Sequence, residues 1–130
     1  MVVRLVRATQ LYQGVPYAYA AATPSGGLVF TAGACPLDEA GEVVAPGDIA
    51  AQARQSLANL RVALGECGCG FADVLKTTVY VASAERADLV TAWNEVAGAF
   101  GEHDAPSTLL GVAVLGYENQ LVEIEAVAAR

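Results

Sequence analysis

The chain has 130 residues, 55% of them hydrophobic, enough to bury a real core and too few to expect two, so it is read as a single domain over residues 1–130. Seven lysines and arginines against 14 aspartates and glutamates give a net charge of −7, a field that repels phosphate backbones and argues against nucleic acid as a partner. No apolar run reaches the roughly 18 residues of a membrane span, and the start "MVVRLVRATQ" lacks the layout of a signal peptide, so a cytoplasmic protein without membrane contact is expected.

In chain order, a short strand is expected at Val2–Val6. Two β-like runs, Tyr17–Ala22 and Leu28–Gly33, flank a Pro-Ser-Gly-Gly turn and predict a hairpin. Cys35 follows in "TAGACPLD", at a strand end, where sites tend to form. Asp48 is placed to cap a helix whose Ile49, Ala53, Leu57, Leu60 and Leu64 recur at helical spacing and which ends among the glycines of "GECGCG". Cys67 and Cys69 in that stretch read as inert buried thiols. Three cysteines with no CxxC and a single His103 do not make a zinc set or a disulfide framework, so no metal is expected.

Val74–Ala82 is rich in β-branched residues and reads as a strand. Ser83 then stands as the cap of a second helix with Leu89, Trp93, Val96 or Ala97, and Phe100 on one stripe. The last two strands are expected at Thr108–Leu115 and Leu121–Ala128. The order describes an α+β sandwich, a mixed sheet of about six strands with two helices on one face.

The second sheet face raises a difficulty. "LLGVAVL" and "VEIEAVAA" are apolar on much of both faces, yet helices cover only one. The economical cover is another copy of the chain, so a cyclic homo-oligomer packed sheet to sheet is expected. Within the last strand Glu123 and Glu125 share a face, and an unpartnered buried carboxylate is costly. They are expected to share one environment and to resist joint ionisation.

The stretches "VPYAYA", "LVFTAGACPLDEAGEVV", "DIAAQARQSLANLRVALGECGCGFADVLKTTVYVA" and "LVEIEAVAA" together resemble the reactive intermediate deaminase family (RidA or YjgF-type, endoribonuclease L-PSP-like) over nearly the whole chain. The resemblance implies a chorismate-mutase-like α+β fold and a homotrimer whose sheets form a central barrel with clefts between subunits. It also implies hydrolysis of reactive imines or enamines to carbonyl compounds and ammonia, with no metal or organic cofactor. A small-molecule metabolite is the implied partner.

Residue by residue, the resemblance makes Tyr17 the cleft tyrosine and Glu123 the acid that holds and activates the attacking water. The family's carboxylate-clamping arginine is missing. Its motif puts Ser107 in that place, a gap-free count from "EIEA" puts Thr108 there, and neither is a cation. A family serine corresponds to Ala32 and a family cysteine to Leu109, both without the reactive group. Asn94 lies where the family often has a helix asparagine, and Gly33 with the backbone of Ala34 and Cys35 is left to offer N–H groups. A cleft so altered is more apolar and less anion-selective. The expectation is a Rid-like hydrolase of imines or enamines that lack a carboxylate or hold it otherwise. The alternative is a catalytically silent or pathway-adapted trimer that binds a small metabolite. A ribonuclease or translation inhibitor ranks third, because the chain is acidic and has no pair of histidines for general acid and base work.

Overall fold

The computed structural model describes residues 4–24 and 26–130. Its elements are β1 (Arg4–Val6), β2 (Ala20–Ala22), β3 (Leu28–Thr31), α1 (Ile49–Glu66), β4 (Val74–Val81), α2 (Arg86–Phe100), β5 (Ser107–Gly111) and β6 (Val122–Ala129), with a single 3₁₀ turn at Phe71–Asp73 before β4. They form one six-stranded sheet in the order β1-β2-β3-β6-β4-β5. All neighbours are antiparallel except β4 and β5, whose parallel pairing is made possible by the α2 crossover. Both helices pack on one face, as the α+β sandwich requires.

Strand β6 shows why the two faces differ. Its residues alternate strictly, with Val122, Ile124, Ala126 and Ala128 buried and Glu123, Glu125 and Val127 on the other side. The buried set meets Leu57, Leu60 and Leu64 of α1 and Val96 of α2, and forms the centre of the core. Among the described residues, no helix covers the opposite face, which leaves Leu5 67% and Phe30 53% exposed, together with Leu75 and Leu110. No helix among the described residues is long and apolar enough to cross a membrane.

Helix α1 begins as expected, with the Asp48 carboxylate accepting from the Ala51 N–H at 3.0 Å. It ends at Cys67, followed by Gly68 in the left-handed region at φ 77°. Helix α2 begins differently from the sequence expectation. Its first turn is preceded by Glu85, whose side chain makes no cap, and Ser83 lies farther upstream. The Ser83 hydroxyl accepts from the Glu85 N–H at 3.0 Å and donates to Asp88 at 2.7 Å, so it closes the approach to the helix rather than capping it. On its stripe Val96 is the buried residue, and Ala97 is exposed.

Strand boundaries also move. The hairpin strands are shorter than expected, with Tyr17 preceding β2 and Gly33 following β3, and the middle of its turn, Ser25, lies outside the described residues. The first strand begins at Arg4, and Val2 and Val3 of its expected range also lie outside them. The fifth strand stops at Gly111 instead of running to Leu115. The reason is its neighbour: β4 ends at Val81, whose carbonyl takes the Val112 N–H at 2.8 Å, and beyond that point the ladder offers no further partner. Residues 113–121 therefore loop back over the sheet end toward β6.

Candidate functional site

A cleft of about 560 Å³ opens where the β3 exit, the 113–121 loop and β6 converge, and Tyr17, Gly33, Cys35, Tyr117 and Glu123 line it. Helix α1 fixes two of its walls. Asn59 donates to the carbonyls of Cys35 and Leu37, both at 2.9 Å, and so anchors the segment after β3. Gln52, fully buried, donates to the Asn119 carbonyl at 3.0 Å and accepts from the Leu121 N–H at 2.7 Å, which fastens the returning loop to the same helix. A polar side chain is tolerated there because its amide is satisfied at both ends.

Among the described residues, Glu123 is the one charged group of the cleft lining. Its Oε1 accepts from Gln120 Nε2 at 3.1 Å and from the Cys35 thiol at 3.3 Å. Its Oε2 lies over Gly33, where a Cβ would collide with the carboxylate, so only glycine leaves the acid its place. Burial, and then the charge of Glu123, push the Cys35 thiol up to about 12, so at neutral pH it stays protonated and acts as a donor rather than a nucleophile. The Tyr17 hydroxyl stands 3.4 Å from that of Tyr117, and burial followed by that hydrogen bond raises its pKa far above the usual phenol range. It too remains a donor. The Tyr17 ring meets Tyr19 edge-on at 5.8 Å.

Of the residues singled out in the sequence, the structure brings Tyr17, Gly33, Cys35 and Glu123 to this cleft. Ala34 adjoins it but spends its N–H on the Ile124 carbonyl at 2.7 Å. Ser107, Thr108, Leu109 and Asn94 lie elsewhere. Asn94 is exposed on α2. The Ser107 hydroxyl accepts from Thr77 at 2.6 Å, and Thr77 is only 2% exposed beneath the helices, so Ser107 turns to the helix side, as does Leu109 against the core.

Thr108 alone of that group faces the open side. Its hydroxyl accepts from Lys76 Nζ at 2.6 Å. Lys76 is the only lysine in the chain, and it makes no ion pair among the described residues. A cation thus stands beside one of the two positions where the sequence offered none, supplied by the neighbouring strand. Lys76 and Thr78 share a hollow of about 210 Å³ with Glu125, whose carboxylate accepts from the Tyr80 hydroxyl. That hydrogen bond, then burial, raises Tyr80 to about 12. Glu123 and Glu125 therefore share a sheet face but not an environment. Thr108 stands two strands across from Glu123 in the same chain, on the order of 10 Å from it.

Sequence reasoning did not find Gln120 and Tyr117. Their signal was present only as a polar stretch, "GYENQ", inside what reads as the end of one strand and the approach to the next.

The chain matches the family described as Endoribonuclease L-PSP over residues 12–130. It is 40% identical over 117 residues to a RutC family protein of Haemophilus influenzae, covering 86% of each chain. It is 38% identical over 109 residues to the 2-iminobutanoate/2-iminopropanoate deaminase of Escherichia coli K12, covering 81% of each. Among solved structures, the YjgF gene product of E. coli superposes with a TM-score of 0.79 at 32% identity, covering 97% of each chain. E. coli TdcF, solved with bound serine, superposes with a TM-score of 0.82 at 29% identity, covering 98% of each.

Proposed function

Since the chain belongs to the Endoribonuclease L-PSP family, we propose that it hydrolyses reactive imines and enamines to carbonyl compounds and ammonia, with Glu123 as the general base. The observation that carries this is the Glu123 carboxylate in the cleft wall, with Oε1 held by two donors and Oε2 over Gly33 without a protein donor among the described residues. A water beside Oε2 gives up a proton to it as the oxygen adds to the imine carbon. That proton passes to the nitrogen to give the carbinolamine; the carboxylate then takes the carbinolamine hydroxyl proton and returns it to the nitrogen as the carbon–nitrogen bond breaks, so that ammonia leaves as the carbonyl forms. An enamine enters the same course once it has taken a proton on carbon. Tyr17, kept protonated, donates to the substrate, and no metal or organic cofactor has a part in this scheme.

Among the described residues, the cleft lining holds a carboxylate and no Lys, Arg or His. A ligand carboxylate there would face Glu123 without a compensating charge, so the preferred substrates lack a carboxylate or hold it by contacts outside this wall. Lys76 is the candidate for such a contact. It reaches the Glu123 cleft only if the open sheet faces of several copies meet, and we propose a homotrimer in which β5 of one copy approaches the cleft of the next. The exposed Leu5, Phe30, Leu75 and Leu110 support that cover. Light scattering at micromolar concentration checks it, and a stable monomer would remove the intersubunit cleft.

The test of function is ammonia release. Imines generated in place by amine oxidases, from amino acids and from carboxylate-free amines, should lose ammonia faster with the protein than without, the carboxylate-free ones more so. Unchanged release across both sets would leave a trimer that binds a small metabolite without turning it over.

A further inference from the structure

Gln120 is 4% exposed, and its buried amide is satisfied on both ends. The carbonyl end accepts from the Tyr117 N–H at 3.1 Å, which fixes the orientation of the amide and leaves the NH₂ end for Val122 O at 3.0 Å and Glu123 Oε1 at 3.1 Å. We infer that Gln120 is the positioning residue of the Glu123 base, selecting Oε2 as the oxygen that takes the proton. The inference rests on the hydrolase activity proposed above.

The donor is well placed because its own backbone is held. The Gln120 N–H donates to the Tyr117 carbonyl at 3.1 Å, and the turn this closes passes through Asn119 in the left-handed region at φ 67°. Gln52 grips the same turn from α1 through Asn119 O and Leu121 N. The amide therefore reaches Glu123 from a rigid support and not from a mobile loop tip. Cys35, protonated, brings a second donor to the same oxygen from the opposite wall. Two donors on Oε1 and none among the described residues on Oε2 remove the equivalence that a freely rotating carboxylate would have. Rotating the carboxylate out of this orientation would break a hydrogen bond to a charged group, among the stronger kinds in a protein interior. The free oxygen is then always the one over Gly33, facing the cleft. A base held in one orientation meets the attacking water without first having to find it.

A merely structural Gln120, one that only closes the 117–120 turn, would show the same buried amide, so the test must separate the two. Gln120→Glu keeps the length and an acceptor for Tyr117 but turns the group facing Glu123 from donor to acceptor. Gln120→Met keeps the length and removes both. Each is measured for kcat, KM and melting temperature on an imine of a carboxylate-free amine, alone and combined with Glu123→Gln. Positioning predicts a kcat lower by about tenfold or more in both variants with KM within about twofold, and no further loss on the Glu123→Gln background. A kcat unchanged in both, or an equal loss with and without the Glu123 carboxylate, overturns it. If wild-type protein releases no ammonia from any imine, the hydrolase proposal falls, and the side-chain amide resonance of Gln120 decides alone. That resonance should be protected from exchange and displaced by Glu123→Gln. A resonance indifferent to the substitution overturns the inference whatever the chemistry of the cleft.

Discussion

Glu123 and Glu125 stand two residues apart on one strand and one face, yet they have opposite surroundings. Glu123 is held by an amide and a thiol at the wall of an open cleft, with one oxygen left over. Glu125 is tied to the Tyr80 phenol beside Lys76, in a smaller hollow farther down the sheet. Residue type and strand face are the same, so neither makes one of them a base. What differs is which loops arrive overhead: the segment after β3 and the 113–121 loop reach the first and not the second.

The sharpest way to break this comparison is to neutralise each acid in turn. Glu123→Gln should lower imine hydrolysis by about 10²-fold or more, as expected for loss of a general base, while Glu125→Gln should stay within about threefold. Equal losses would assign both acids to one shared role. Next in size is Gly33→Ala. The new Cβ must displace the Glu123 carboxylate, and the misplaced base should cost roughly tenfold or more in kcat with only a modest change in melting temperature.

The thiol sharpens the contrast without any turnover. Burial first and the Glu123 charge second raise Cys35 to about 12, so alkylation by iodoacetamide should be slow at pH 8 and climb as pH approaches that value. Glu123→Gln removes the second cause, lowers the thiol pKa and should speed alkylation at pH 8 several-fold. Glu125→Gln should leave it unchanged. The same shift has a stability consequence. A thiol that ionises near 9 in the unfolded chain and near 12 in the folded one favours the fold below pH 9, and that advantage is lost as pH rises through 12. Cys35→Ala should therefore flatten the fall in melting temperature over that window.

The smallest expected effect concerns the missing guanidinium. Thr108→Arg puts a cation on the open face beside Lys76 and should raise kcat/KM for 2-imino acids a few-fold. Ser107→Arg, pointing to the helix side, should give no gain. A gain from Ser107→Arg instead would mean that β5 turns the other face to the cleft.

Much of this molecule is legible in the sequence because its elements are locally determined. The Asp48 cap, the period of α1 and the alternation of β6 need no distant information, and the resemblance drawn from whole stretches points to Tyr17, Gly33, Cys35 and Glu123. What the sequence conceals depends on where a partner ends. "LLGVAVL" continues to look like a strand past Gly111, and only the end of β4 at Val81 stops it. Once it stops, Tyr117 and Gln120 fall over Glu123 through the grip that Gln52 exerts on Asn119, 67 residues later. The facing of Ser107 and Thr108 is concealed for the same reason, because it is set by parallel register with Thr77 and Thr78 and not by their own neighbours.

The solitary lysine also makes the chain its own clock. A protease that cuts only after lysine has one target here, near the start of β4, with β6 paired on one side and β5 joining on the other from the next residue. Proteases need an extended, unpaired segment, so the native sheet resists, and each cut into residues 1–76 and 77–130 records one opening of the sheet at β4. The cleavage rate against protease concentration then measures how often the sheet opens, with no label attached. A ligand that binds only the closed form slows that rate in proportion to its occupancy, whether or not it is ever turned over.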